Sequence, residues 1–336
     1  MPASASLTQA LPIHDFSELA QALELHSDDL GWLTAPAYLG YSHYHCFWQK
    51  KQSGSERRLI ESPKPLLKLT QNIIREKILE PVPLHEAANG FVRGKSIFDY
   101  VKPHVGRRMV LKLDLKDFFP GVTEARVIRL FLTMGYPEPV ANLLTALTTH
   151  RTPTETLQAE TLPPSVLNRF EKPHIPQGAP TSPTLANLCA FRLDCRLAGL
   201  ARASGIRYTR YADDLLFSGG EPFRRNVRAL YHSILTSVIE EGFQPHMQKT
   251  RFMPSGRKQH AAGLVLNEKP NISRVEYDRL KAILTNSLRY GPDSQNREKD
   301  PQFKEHLAGR IGWFRQSNPK RAERLDTLFE QIEWGP

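Results

Sequence analysis

The sequence predicts an α+β fold. Two apolar runs alternate with period two, Met109 to Phe119 and Tyr208 to Ser218, and read as core strands. The stretches of helical period around them do not follow strict strand–helix alternation, so a mixed core with appended helices is expected. At 336 residues the chain exceeds one ordinary core, which implies two or three sub-domains around one site.

Taken in order, residues 1–35 carry Phe16, Leu19, Leu23 and Leu25 on a loose helical stripe, a short leader. From Tyr38 to Ile60 the pattern turns aromatic and alternating. Tyr44, Cys46 and Trp48 share one face and Gly54 interrupts the run, which predicts a β-hairpin with a basic return limb at Arg57 and Arg58. Leu66, Leu69, Ile73, Ile74 and Ile78 then recur at helical spacing. Residues 90–108 hold Arg93, Lys95, Lys102, His104, Arg107 and Arg108, the densest basic stretch. In the first core strand Leu111, Leu113 and Leu115 alternate with Lys112 and Asp114, so the leucines bury and Asp114 faces the other way. Thr123 caps a helix through Met134 that stops at Gly135. The proline-rich stretch 150–175 reads as an irregular excursion. Ser182-Pro183 opens one long helix bearing Leu185, Leu188, Leu193, Leu197 and Leu200, ended by Gly205. After the strand–turn–strand to Ser218 come a helix near 225–241, a short strand pair around 250–267 and a helical tail from 275 to 334.

Lys and Arg number 45 against 35 Asp and Glu, a net charge of +10, which makes a polyanion the leading partner. A hydrophobic fraction of 40% builds a core and excludes wholesale disorder. No apolar run approaches the roughly 20 residues that span a bilayer. The first twenty residues lack the pattern of a secretory signal, so no membrane role is expected. Three cysteines, Cys46, Cys189 and Cys195, without a CxxC fit a reducing cytosol. Cys189 and Cys195 read as small core residues of an apolar helix. His43, His45 and Cys46 have metal-like spacing, yet no second ligand pair accompanies them. A closed zinc site takes four ligands, so none is expected there.

Asp213 and Asp214 lie side by side between two apolar strands, at a hairpin tip. Asp is common in turns, but a turn needs only one small polar residue. Two carboxylates held by strands also make a cage for a hard divalent cation. Asp114 adds a third acid on a neighbouring core strand. Together they suit a pair of Mg²⁺ ions about 3.5–4 Å apart, the arrangement for in-line phosphoryl transfer. The run Pro176 to Pro183 is longer than a helix entry requires. Gly178 lets backbone approach a base or sugar closely, and Gln177 offers it an amide.

Four motifs now stand in order: LDLKDFF (113–119), IPQGAPTSP (175–183) with Ala186-Asn187, YADD (211–214) and EGF…KT (241–250). They resemble the A, B, C and D motifs of reverse transcriptases, and within that class the bacterial retron enzymes. The resemblance covers roughly residues 38–334. It implies a right-hand polymerase: fingers over 36–108, palm over 109–270 with finger elements around 130–180, and a helical thumb over 271–336, after the leader 1–35. Asp114, Asp213 and Asp214 match the catalytic metal-binding acids. Phe119 matches the steric gate beneath the incoming sugar, and Gln177 and Gly178 the loop beside the nascent base pair. Lys249 matches the motif D lysine that protonates leaving pyrophosphate. Arg58, Arg93 and Lys95 fall in segments resembling the fingers that grip the triphosphate. In place of the family's Asn-Ala-x-x-His stands Tyr100 to His104, keeping only the histidine. In place of its Val-Thr-Gly stands Ala261-Ala262-Gly263.

The resemblance implies RNA-directed DNA synthesis from deoxynucleoside triphosphates with two Mg²⁺, or Mn²⁺ as substitute. The template would be a structured non-coding RNA that also primes, giving a branched RNA–DNA hybrid for antiphage defence in the bacterial cytosol, alongside an effector protein encoded nearby. Another defence-associated or group II intron-like reverse transcriptase is the alternative. An RNA-dependent RNA polymerase is disfavoured by the bulk of Phe119, and a binding-only RNA chaperone by the presence of all three acids.

Overall fold

A computed structural model describes residues 11–35, 42–50, 57–160 and 164–334, and its strands and helices are mixed as the pattern predicts. Helices α1 (Phe16–Ala22) and α2 (Ser27–Leu33) bury Leu19, Leu23, Leu30 and Leu33 in the main core. Phe16, expected on the buried stripe, stands exposed as the first residue of α1. Strands β1 (Tyr44–Lys50) and β2 (Arg57–Pro63) form the expected antiparallel hairpin, from Tyr44 opposite Pro63 to Lys50 opposite Arg57. Gly54, read as interrupting it, lies outside the described residues. Tyr44 is buried and Cys46 and Trp48 half-buried, whereas His45 and Phe47 point outward.

Helix α3 (Pro65–Ile74) runs into a single π-helical turn, Arg75 to Leu79. Its buried face is Leu67, Gln71, Ile74 and Ile78 rather than Leu66, Leu69 and Ile73. A polar residue hid that stripe. Gln71 is fully buried because its amide donates to the Tyr44 hydroxyl and the Leu147 carbonyl, each at 2.8 Å. Helix α4 (Ile97–Val101) starts at a Ser96–Asp99 capping box within the basic stretch.

After β3 (Met109–Lys116) come α5 (Glu124–Thr133), with Thr123 at its N-cap position, and α6 (Glu138–Thr148). Two short helices, α7 (Thr154–Gln158) and α8 (Pro164–Phe170), occupy the stretch expected to be irregular. There the prolines begin helices: Pro153 precedes α7 and Pro164 opens α8. The single long helix expected from Ser182 is two, α9 (Ser182–Cys189) and α10 (Phe191–Ala203), parted at Ala190 with ψ 0. Leucine spacing runs straight through that break and conceals it. Helix α9 is buried nearly all round, whereas α10 buries one face: Leu193, Asp194, Leu197 and Ala201.

Strands β4 (Arg207–Tyr211) and β5 (Asp214–Gly219) follow, then α11 (Glu221–Glu240), β6 (Gln244–Pro245) and β7 (Arg251–Pro254). The main sheet is ordered β4-β5-β3-β6, and β7 also pairs with β3. Its two faces separate by the period of two. Met109, Leu111, Leu113 and Leu115 pack in the main core with Leu215 and Phe217. Val110 and Leu216 belong to a second core, so Lys112, Asp114 and Asp214 share that other face. The second core lies under a small sheet, β8 (His260–Ala261), β9 (Leu264–Val265) and β10 (Asn271–Ile272), and under the tail. The tail is three helices, α12 (Arg274–Tyr290), α13 (Phe303–Ser317) and α14 (Pro319–Glu330), which contribute Leu284, Ile311, Phe314 and Leu325. Among the described residues no helix is long and apolar enough to cross a membrane.

Candidate active site

The β3–β5 register sets Asp114 directly opposite Asp214. Asp213 is the second residue of the two-residue turn joining Tyr211 to Asp214. Its carbonyl accepts from Leu115 N at 2.9 Å, so the turn is stitched to β3 beside Asp114. Ala212, the other turn residue, has φ 52, a left-handed conformation that a residue with a Cβ seldom adopts unless its surroundings enforce it.

A buried polar network enforces it. Arg210, with no exposed surface, donates from Nε and Nη2 to Asp194 at 2.8 and 2.6 Å, and from Nη1 to Asn187 Oδ1 at 2.9 Å and the Ala212 carbonyl at 3.2 Å. The Tyr208 hydroxyl donates to Asp194 at 2.7 Å, and Asn187 donates to the Gly90 carbonyl at 2.9 Å. Gly90 lies against the turn so closely that a Cβ there would sit 2.7 Å from Ala212 N. Arg210, Asp194 and Gly90 were missed in the sequence, and Asn187 was read only as part of a motif. Their signal was Asn187 and Asp194, two polar residues seven apart among the leucines of a helical run.

Asp114 is buried and Asp213 and Asp214 are half-buried beside it, without a cancelling charge for each. Asp213 is pushed up to about 6 by burial, then by the neighbouring Asp114 and Asp214 carboxylates. Asp214 is also raised by burial, although Lys112 Nζ stands 2.8 Å from it. Lys249 Nζ donates to both oxygens of Asp114, at 3.1 and 3.2 Å. The Tyr100 hydroxyl is buried with no hydrogen-bond partner, and its pKa is raised by burial and then by Asp214, Asp213 and Asp114. A donor set of carboxylate oxygens with an unpartnered hydroxyl near it fits a hard divalent cation. His104, the one residue kept of the family's histidine signature, is no part of this. It bridges the Ser218 and Thr209 hydroxyls at 2.7 and 2.8 Å, and burial lowers it to about 3, so it is a neutral bolt between strands.

Beside the acids Phe119 joins a cluster of rings, 6.1 Å from Phe91, which is itself 6.3 Å from Tyr211. Phe118 is buried behind it, stacked on Phe243. Gln177 is half-buried and Gly178 exposed. Gly178 was expected to make room for a base or sugar; the structure shows a nearer cause. Its φ is 133, and a Cβ would lie 3.0 Å from the Glu61 carbonyl oxygen of β2. Arg58 and Arg93 are exposed. Lys95 is not a free cation: its ammonium donates to the Glu86 and Ala88 carbonyls at 2.6 and 2.7 Å. His43 turns to the Trp32 carbonyl and His45 is exposed, so neither joins Cys46.

The chain belongs to the reverse transcriptase (RNA-dependent DNA polymerase) family, which it matches over residues 49–273. It is 43% identical over 290 residues to the retron Mx65 reverse transcriptase of Myxococcus xanthus, covering 84% of this chain and 63% of that protein. It is 29% identical over 326 residues to the retron Ec86 reverse transcriptase of Escherichia coli, covering 96% and 91%. The chain thus spans less than two thirds of the length of the Mx65 relative. Among solved structures it is similar to telomerase from Candida albicans in complex with a fragment of telomeric RNA, with TM-score 0.43 at 14% identity, covering 88% of this chain and 64% of that one.

Proposed function

We propose that the chain is an RNA-directed DNA polymerase of the retron kind, working in the bacterial cytosol. The observation that carries this reading is the convergence of Asp114 and Asp214, paired on one face of β3–β5, with Asp213 in the adjoining turn, in a chain of this family. These three carboxylates would hold Mg²⁺, or Mn²⁺ in its place. The bound cations would supply the positive charge that favours ionisation of the primer 3′-hydroxyl and departure of pyrophosphate. Lys249 holds a proton at Nζ, anchored on Asp114, for delivery to the leaving group. Gln177 and Gly178 border the base, and Arg58 and Arg93 reach for the triphosphate; Lys95 joins them only by leaving its carbonyls. The β1–β2 hairpin acts among the fingers and α12–α14 as the thumb.

Phe119 sets the choice of sugar by filling the space of a 2′-hydroxyl. Phe119→Ala is expected to lower discrimination against ribonucleotides by on the order of 10–100-fold. The readout is the ratio of ribo- to deoxynucleotide incorporation efficiency. An unchanged ratio would move the gate to another ring of the cluster, with Phe91 first.

The template is a folded non-coding RNA, and the product a DNA joined to an RNA 2′-hydroxyl, used with a nearby-encoded effector in antiphage defence. Net charge alone binds phosphates without selection; shape and unpaired bases must supply the choice. Nucleic acid that co-purifies with the protein should therefore be one abundant RNA whose 3′ part is copied into short DNA, inseparable until the RNA is digested. Free DNA, or a random RNA population without attached DNA, would defeat the retron reading. Failure to extend an annealed primer on RNA with Mg²⁺ and deoxynucleotides would defeat the polymerase reading.

A further inference from the structure

We propose that Cys46, Glu61 and His150 form a zinc site behind the loop of Gln177 and Gly178, with solvent as the fourth ligand. No zinc site is expected at Cys46 from the sequence, because His43 and His45 have no second ligand pair beside them; the fold instead supplies Cys46 with partners from distant segments. The β1–β2 register places Cys46 directly across from Glu61, and the chain brings His150 to the pair from 104 residues away. One donor atom from each of the three lies within 4.8 Å of the other two.

The spacing is close to that of a filled site. Cys46 Sγ is 3.5 Å from His150 Nε2, and that nitrogen is 3.8 Å from Glu61 Oε1. An ion held tetrahedrally at ligand distances of ~2.0–2.3 Å separates sulfur from nitrogen by about 3.5 Å and nitrogen from oxygen by about 3.3 Å. The sulfur–nitrogen pair already stands at that spacing and the nitrogen–oxygen pair is about half an ångström too wide, while sulfur and oxygen lie within 4.8 Å. A thiol, an imidazole and a carboxylate are a donor set for zinc, whereas Mg²⁺ prefers oxygen alone.

The surroundings hold these ligands as a metal site requires. Glu61 is 1% exposed and, among the described residues, pairs with no Lys or Arg. Its Oε2 pairs with His174 at 3.0 Å, which leaves Oε1, facing His150, as the oxygen available to an ion. Thr152 donates to its Oε1 at 2.6 Å, and His174 Nε2 contacts Oε2 at 3.0 Å while Nδ1 donates to the Lys172 carbonyl at 2.8 Å. His150 is stacked on Tyr44 with centroids 4.3 Å apart, and its backbone exchanges hydrogen bonds with His174 at 2.8 and 3.0 Å. Such outer partners orient metal ligands and tune their affinity. The site also touches the loop: Glu61 N donates to the Gln177 carbonyl at 2.9 Å, beside the close approach of Gly178. An ion here would clamp the hairpin, residue 150 and that loop into one body.

The test uses the full chain and does not depend on DNA synthesis. Protein purified without chelator should hold about one zinc per chain by elemental analysis. Chelation should lower its Tm and zinc should restore it. Cobalt in place of zinc should give a thiolate charge-transfer band that Cys46→Ser abolishes. Cys46→Ser and His150→Gln should each weaken zinc binding by at least ~10-fold while the chain stays folded by circular dichroism. Protein that is zinc-free as purified and whose Tm zinc does not move would overturn the site, leaving a hydrogen-bonded cluster only. Binding that survives both substitutions would overturn it equally.

Discussion

Asp213→Asn is expected to leave a protein that is more stable than its parent at pH 7 and makes no DNA. Asp213 is raised from 3.8 to about 6 in the fold, chiefly by burial. The folded state therefore binds this proton more tightly than the unfolded chain does. Parental stability falls as pH rises from about 4 to about 6, and levels off above that. Asparagine keeps the shape and removes the buried charge, so metal-free protein at pH 7 should gain stability, up to about 3 kcal/mol. The same charge is what a divalent cation needs, so primer extension should fall by ~10³-fold or more. Urea denaturation with chelator reads the first effect and single-nucleotide extension the second. Extension near the parental rate would refute the role of Asp213, and a loss of stability at pH 7 would refute the electrostatics.

The second large effect concerns Asp194 and Arg210. Both are fully buried and bonded to each other through two nitrogens of the guanidinium. Asp194→Ala strands a buried guanidinium and the Tyr208 hydroxyl, and should cost about 3–5 kcal/mol. Replacing both partners with apolar residues, Asp194→Leu with Arg210→Met, removes the stranded charge and should recover much of that loss. The double variant still lacks the bond from Arg210 to the Ala212 carbonyl, so its DNA synthesis should remain low although it folds. A loss below about 1 kcal/mol for Asp194→Ala would place the pair among weakly coupled interactions. Full activity of the double variant would show that the turn holds itself.

Residues that face apolar neighbours with a fixed period were legible in the sequence. The alternation around Leu111 and Leu113 located β3, and adjacent Asp213 and Asp214 located the turn. The family resemblance added Lys249, which the structure places on Asp114. What stayed hidden was polar and buried, or depended on a neighbour distant in sequence. Gln71 concealed the inner face of α3, and a run of leucines crossed the break at Ala190. The need for Gly178 came from the backbone of Glu61, and Cys46 found partners at 61 and 150 rather than at 43 and 45. Hydropathy does not encode such pairings, because each requires two segments to be docked first.

The ammonium groups on Asp114 and Asp214 have a consequence for ion residence. A triad with no cation beside it would scavenge any divalent ion at trace concentration, including those that poison a reaction needing rapid ligand exchange. Here an incoming ion must outcompete two tethered lysines, which weakens retention of every ion alike. A common penalty leaves the ranking of ions unchanged, so what the lysines shorten is residence: an ion of any kind leaves the triad sooner than it would leave three bare carboxylates.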